Sequence, residues 1–366
     1  MAKPLPLLLV VASDKRATKS TQEGETVMRK LNRVWLALFL GLLFGSHSAV
    51  AQDTMELAKK EGKVVWYSSA SLSLSQKLCN MFNAKNFGVE CVLHRDGSGE
   101  LYTRLQQEAK AGIYNADVFH TSSIGHFVSL RKAQGLTPYR PKGTEKFDQN
   151  FLEKDGQWAV VRASFYGPAF NTTKIKESEA PKSWRDFLDP KWSDRKLVNA
   201  HPGYSGFVSV GMAALVKLYG WEFFDKLAAQ KPIIVQSALD TVTYVVRGEA
   251  WMSVGGTAYT SAVAIKKGEP IKHIFPKEGV PFIVSPQAIL AKAPHPNAAK
   301  VLVDWLFTRE AQQVMVDEGL YVGQPDVEYP KWQTPLKEIK LLIVPEDEAV
   351  EMRKPVLDNF RAKFGV

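Results

Sequence analysis

Met55-Glu56-Leu57-Ala58-Lys59-Lys60-Glu61-Gly62-Lys63-Val64-Val65-Trp66-Tyr67-Ser68-Ser69 decides how the rest of the chain is read. Its first half is a short helix closed by Gly62, since glycine takes the left-handed conformation that ends a helix without a Cβ penalty. Its second half is an apolar, β-branched run that empties into serines, which reads as a buried strand followed by a turn. The alternation continues downstream. Ser73–Asn86 puts Leu74, Leu78, Met81 and Phe82 on one helical face, and Val89–Leu93 alternates as a strand. Asp96-Gly97-Ser98-Gly99 reads as a turn, Glu100–Ala111 as a helix and Ala116-Asp117-Val118-Phe119 as a strand. Strand and helix alternating over short connections predict an α/β fold whose mostly parallel sheet is covered on both faces.

A second set follows the same logic. Trp158–Phe170 is a strand, helices are expected around Trp184–Leu188 and over Phe207–Leu218, and Ile233-Ile234-Val235 is a strand. Leu239–Arg247 reads as a helix and Trp251–Val254 as a strand; Pro281–Val284 returns as a strand before one long helix over Pro296–Glu318. Of the nine tryptophans, Trp66 and Trp251 sit on strands and are expected in the core.

Composition narrows the class. Apolar residues make up 45% and charged residues 23%, as in a folded soluble domain and unlike a disordered chain or a polytopic membrane protein. The formal charge of +9 comes partly from residues 1–51, with seven Lys/Arg and three Asp/Glu; subtracting these from 47 and 38 leaves 40 basic against 35 acidic groups, or +5. The basic residues are spread among acids with no block of like charge, so nucleic acid is not an expected partner.

Arg29, Lys30 and Arg33 precede an apolar run, Val34–Phe44, followed by small residues and Ala49-Val50-Ala51. That is the order of a cleavable secretory signal, with cleavage expected after Ala51 and translation expected to start at Met28. The run is shorter than the roughly 20 residues a membrane-spanning helix needs, and no cysteine lies beside the cleavage point to take a lipid. Export to the periplasm places Cys79 and Cys91 where disulfides persist. Spacing leaves both readings open, a short helix-to-strand disulfide or two buried thiols.

In open α/β sheets ligands settle beyond the carboxyl ends of the strands. Four loops there share small hydroxyls and glycines: Ser68-Ser69-Ala70-Ser71, Thr121-Ser122-Ser123, Tyr204-Ser205-Gly206 and Gly255-Gly256-Thr257-Ala258-Tyr259. Free N–H groups at a helix start favour an anion, and Tyr204-Ser205-Gly206 before the Phe207 helix is the best case; Ser205 is equally suited to be a plain N-cap. Arg162, on a strand near the expected crossover, suits a clamp for carboxylate or phosphate, and equally an ion pair between lobes. His120 and His126 flank the Ser122-Ser123 turn and are weighed as metal ligands against ordinary hydrogen-bonded roles. No zinc-type motif, phosphate-cradling Gly-Lys-Ser/Thr loop or nucleophile elbow occurs, so no catalytic residue, metal or cofactor is expected.

Further motifs recur in order: Pro181-Lys182-Ser183-Trp184-Arg185-Asp186-Phe187-Leu188-Asp189-Pro190-Lys191-Trp192, Arg247-Gly248-Glu249, and His295-Pro296-Asn297-Ala298-Ala299-Lys300 leading to Trp305-Leu306-Phe307-Thr308-Arg309-Glu310-Ala311-Gln312. Together with the opening segment, Asp96–Leu101 and Ala116–Phe119, they make the chain from 52 to 366 resemble a periplasmic solute-binding protein of an ABC importer, of the two-lobed class that includes ferric-ion-, polyamine- and phosphonate-binding members. The resemblance implies a periplasmic binding protein type II-like fold, two α/β lobes on a two-strand hinge with a ligand cleft between them. Residues 52–160 with 276–330 would form one lobe and 161–275 with 331–366 the other. It implies a monomer that hands a small-molecule solute to a membrane permease driven by a cytoplasmic ATPase.

The ferric branch of that family holds iron with a histidine, a glutamate and a tyrosine pair. Here those positions fall at Ala70 and Ser71, near Ser122, and near Thr257 and Ala258, with Tyr259 the one tyrosine nearby. Fe³⁺ wants anionic oxygen, which these hydroxyls do not supply. The expected ligand is therefore a small organic anion, a carboxylate, phosphonate or phosphate ester, gripped by neutral donors alone, hydroxyls and backbone N–H groups, with Ser205 and its neighbouring amides foremost. Its candidate contacts are Ser68, Ser69, Ser71, Ser122, Ser123, Tyr204, Ser205, Gly206, Thr257, Tyr259 and Arg162. Ferric ion with a synergistic anion is the alternative, and an exported enzyme on the same fold is the alternative from another class.

Overall fold

The computed structural model describes residues 53–366; the signal segment and the Ala51 cleavage point lie outside the described residues. A helix over residues 53–61, α1, stops at Gly62, whose φ of +74° is the left-handed value expected there. The strand β1 (Lys63–Ser68) follows, parallel to both β2 (Glu90–Arg95) and β3 (Val118–His120). Between them run α2 (Leu72–Ala84) and α3 (Ser98–Lys110), and α4 (Ile124–Lys132) follows β3. Ser98 and Gly99, expected in a turn, instead open α3, which therefore starts within the loop at the end of β2.

Asp117 explains why a carboxylate sits in an otherwise apolar strand motif. It is wholly buried and accepts from Val65 N–H at 2.7 Å, His295 N–H at 2.7 Å and His295 Nδ1 at 2.9 Å, tying β1 to the loop far downstream. A disulfide joins Cys79 of α2 to Cys91 of β2, with Cα atoms 5.5 Å apart and a sequence separation of 12. Closing a loop of that size contributes about 3 kcal/mol in the chain-entropy picture.

The second half repeats the arrangement. It holds β6 (Leu197–Ala200), α5 (Gly206–Tyr219), α6 (Glu222–Ala229), β7 (Ile233–Val235), α7 (Asp240–Val246), β8 (Met252–Thr257) and α8 (Ala258–Lys266). The two halves meet through β5 (Ala159–Asn171) and β10 (Val280–Leu290), which pair antiparallel with Phe282 opposite Phe165 and Gln287 opposite Ala159. Past that pairing β10 continues along β3, and β5 continues along β8. The sheet order is β2-β1-β3-β10-β5-β8-β6-β7, with β4 (Leu136–Thr137) and β11 (Leu341–Leu342) added on β10 and β9 (Ile271–His273) on β5. Two strands shared by two α/β halves form a hinge, and every residue of β5 is buried, as a strand covered on both faces requires.

Tyr166 on β5 fills the centre of the second half. Its hydroxyl donates to Asn199 Oδ1 at 3.0 Å, and its ring occupies the space in which a Cβ on Gly255 would lie 1.7 Å from Cζ, so only glycine fits on β8 there. Trp66 is buried as expected, whereas Trp251, just before β8, is only partly buried under Lys196 Nζ, 4.8 Å from its ring centroid.

The long helix expected over 296–318 is two helices, α9 (Pro296–Leu306) and α10 (Arg309–Asp317). Thr308 breaks it: its hydroxyl accepts from Ala311 N–H and starts α10 as an N-cap. Trp184–Leu188 is a 3₁₀ segment opened by a Ser183/Asp186 capping box. The last helix, α11 (Glu346–Phe364), packs on α4, α5 and α6, with ion pairs from Lys217 to Glu348 at 2.6 Å and from Lys363 to Asp225.

Candidate ligand cleft

The strands β1, β2, β3, β6, β7 and β8 all deliver their carboxyl ends to one cavity of about 250 Å³. Each of the four hydroxyl-rich loops contributes: Ser69, Ser122, Tyr204, Ser205, Thr257 and Tyr259 line it, together with Arg162 from the hinge strand β5. The other candidates are placed differently. Ser71 caps α2 by accepting from Leu74 N–H at 3.4 Å. Ser68 is buried behind the wall, with its hydroxyl 3.1 Å from Ser75 Oγ and 2.9 Å from His120 Nδ1. Ser123 and Gly206 face each other where the halves meet, so closely that a Cβ on Gly206 would lie 2.3 Å from Ser123 Cβ. The halves also approach each other where Cβ atoms built on Gly97 and Gly99 would lie 3.4 Å and 3.3 Å from the carbonyl oxygens of Tyr204 and Gly203.

Ser205 takes its expected role as the N-cap of α5, accepting from Val208 N–H at 3.4 Å, and also lines the cavity at the positive end of that helix.

Arg162 is 4% exposed, and no carboxylate of the described residues forms an ion pair with it, so the interlobe ion pair is not made. Its Nε–H donates to His120 Nε2 at 3.2 Å, and its Cζ lies 5.7 Å from the Tyr259 ring centroid. Burial, followed by the neighbouring guanidinium, holds His120 well below the usual histidine range. A neutral His120 that accepts at Nε2 carries its proton on Nδ1, which donates to Ser68 Oγ. Ser68, His120 and Arg162 thus form one chain that aims a cation at the cavity. His126 points elsewhere, stacked on Tyr102 at 4.3 Å with Nδ1 3.2 Å from Thr121 Oγ1, so the two histidines do not make a metal pair.

The expectation of neutral donors alone is corrected by the lining itself, which carries two guanidiniums, Arg162 and Arg95, and two carboxylates, Asp96 and Glu100. Gly97, Ser98, Phe207 and the segment Gln236-Ser237-Ala238-Leu239 complete it. The signal for these residues was the same strand-end rule that picked out the serine loops: Arg95 ends β2, and Gln236 follows β7.

The chain is 26% identical over 301 residues to an uncharacterised protein of Haemophilus influenzae, covering 79% of this chain and 84% of that one. It is 25% identical over 343 residues to the Fe(3+)-binding periplasmic protein of Serratia marcescens, covering 90% and 96%. Its fold matches that of the periplasmic binding protein AfuA from Actinobacillus pleuropneumoniae, solved with exogenous fructose-6-phosphate bound, with a TM-score of 0.75 and 21% identity over 83% of this chain and 99% of that one. An iron binder and a protein holding a sugar phosphate are thus both similar to it, and likeness at this level does not choose between their solutes. Residues 114–346, well over half of the chain, match the model of one family: the protein belongs to the bacterial extracellular solute-binding protein family.

Proposed function

We propose that this protein is the periplasmic component of an ABC importer that captures a small organic anion, a carboxylate, phosphonate or phosphate ester, between its two lobes and hands it to a membrane permease driven by an ATPase. The observation that carries the reading is Arg162, a buried guanidinium without a carboxylate partner at the wall of a polar cavity fed by both halves of the sheet. A buried charge left unpaired is costly, and an incoming anion offsets that cost. Around it the hydroxyls of Ser69, Ser122, Ser205 and Thr257 and the amino end of α5 supply further donors.

In this reading residues 52–160 with 276–330 and residues 161–275 with 331–366 move as lobes about β5 and β10. Contacts from both lobes stabilise the closed form, and the shift toward it is limited by the difference in ligand affinity between closed and open states. The AfuA complex with fructose-6-phosphate is in keeping with an anionic solute on this architecture.

Ferric ion is the weaker reading. Among the described residues no group of three or more His, Cys, Asp or Glu is placed to hold a metal. Tyr259, the tyrosine at the iron position, has the Arg162 guanidinium over its ring, and a cation there repels a trivalent ion. His120 is not free to act as a base, since both of its ring nitrogens are engaged, by Arg162 and Ser68.

A thermal-shift comparison of fructose 6-phosphate, citrate, methylphosphonate and ferric chloride tests the reading. A ligand at a thousand times its Kd stabilises by about 4 kcal/mol, which for a chain of this size raises the melting temperature by roughly 6 °C. At least one organic anion is expected to give such a shift and ferric ion none; the reverse result contradicts the proposal.

A further inference from the structure

We infer that Glu100 reads a hydrogen-bond donor on the bound anion, so that the cleft selects anions bearing a hydroxyl or ammonium group over the same anions without one. The inference rests on the organic-anion reading and goes beyond it, because it says what the rest of the solute must carry.

Glu100 lies in the first turn of α3 and lines the same cavity as Arg162. Its Oε2 is completely buried and has no hydrogen-bond partner among the described residues. Neither the amino end of its own helix nor Arg95 satisfies it: Gly97, next to the carboxylate, gives its N–H to Asp96 Oδ1 at 2.8 Å, and Arg95 Nε donates to the Ala70 carbonyl at 2.9 Å. A Cβ on Gly97 would lie 2.2 Å from Oε2, so the missing side chain at Gly97 leaves the room in which this carboxylate folds against the cleft wall.

An ionised carboxylate oxygen withdrawn from water and left without a donor is expensive, and the cost falls only if something in the cavity donates to it. A fully ionised anionic end cannot do so, since its phosphonate or carboxylate oxygens are acceptors and are repelled by Glu100. The polar lining thus divides the work. Arg162 and the serine loops take the anion, and Glu100, with Asp96 beside it, takes a donor on the body of the solute. A hydroxyl meets this need by hydrogen bonding alone, and an ammonium adds opposite charge.

Titration calorimetry with a matched series, ethylphosphonate, 2-hydroxyethylphosphonate and 2-aminoethylphosphonate, isolates the donor, since the three differ only at that atom. The wild type is expected to bind at least one donor-bearing probe at least tenfold tighter than ethylphosphonate. Glu100→Ala should bring the three within about threefold of one another. Glu100→Gln, which keeps an acceptor but loses the charge, should remove an ammonium advantage and retain most of a hydroxyl advantage, so the two variants tell the donors apart. Thermal melts establish that both variants are folded. The inference is overturned if Glu100→Ala preserves the preference, or weakens all three probes by the same factor as a general packing defect would. Failure of the wild type to bind any of these phosphonates, fructose 6-phosphate or citrate overturns the organic-anion reading itself.

Discussion

Replacing Arg162 by methionine is expected to weaken binding of the anionic solute at least a hundredfold and, in the empty protein, to raise the melting temperature. The two effects have one origin. The guanidinium is buried, and among the described residues it lacks a carboxylate partner and its one hydrogen bond to a side chain goes to neutral His120. Removing one partner of a buried charged pair costs about 3–5 kcal/mol, and a hundredfold change in Kd corresponds to about 2.7 kcal/mol, so the bound state loses at least that much. The empty state instead loses an uncompensated buried charge. Leaving His120 Nε2 without its donor takes back about 1–3 kcal/mol of the gain, which keeps the rise in melting temperature modest. Arg162→Lys retains the charge without the planar fork and should fall between the two. Calorimetric titration and thermal melts of the three proteins check this; unchanged affinity in Arg162→Met would remove the cation from the account.

Gly206→Ala separates closure from folding. Gly206 is the first residue of α5, where alanine is the better helix former by up to about 1 kcal/mol, so the fold should lose nothing in the open form. In the structure, which the proposed reading takes as the closed form, the new methyl would lie 2.3 Å from Ser123 Cβ and 3.0 Å from Ser123 Cα, and the second of these is backbone that cannot rotate aside. Overpacking of that kind costs about 1–3 kcal/mol, or roughly five- to 150-fold in an equilibrium. The cost falls on closure alone because Ser123 belongs to the β1–β3 half and Gly206 to the β6–β8 half. The expected result is an affinity lower by about fivefold or more with an unchanged or slightly raised melting temperature. Small-angle X-ray scattering with saturating ligand should find the variant more open than the wild type. A variant that binds and compacts like the wild type would mean that the contact between Ser123 and Gly206 yields at no cost.

Much of this was legible in the chain. The helix-to-glycine-to-strand reading of residues 55–69 led to a parallel α/β sheet, and the rule that ligands lie past strand ends led to four loops that do share one cavity. The rest was hidden for physical reasons. The acidic half of the lining, Asp96 and Glu100, sits in a segment whose glycines read as a turn, and only the fold reveals that α3 starts inside it. The strand β10 was read for four residues because Ser285 and Gln287 interrupt its apolar pattern, although both are buried at the hinge. The helix α11 went unread because it buries only Ala349, Val356 and Phe360 and carries Pro355 inside. A sparse apolar stripe broken by proline gives little periodicity to detect. The role of Asp117 is not legible locally, since the three groups that donate to it come from β1 and from a loop about 180 residues away.

The central claim is that a cleft built around Arg162 holds a small organic anion. Native mass spectrometry of the protein purified from the periplasm of an expressing cell, beside Arg162→Met prepared in the same way, tests it most directly. The account predicts that the wild type carries an adduct with the mass of a small organic anion and that the variant does not. An adduct of iron mass, or the same adduct kept by both proteins, would contradict it.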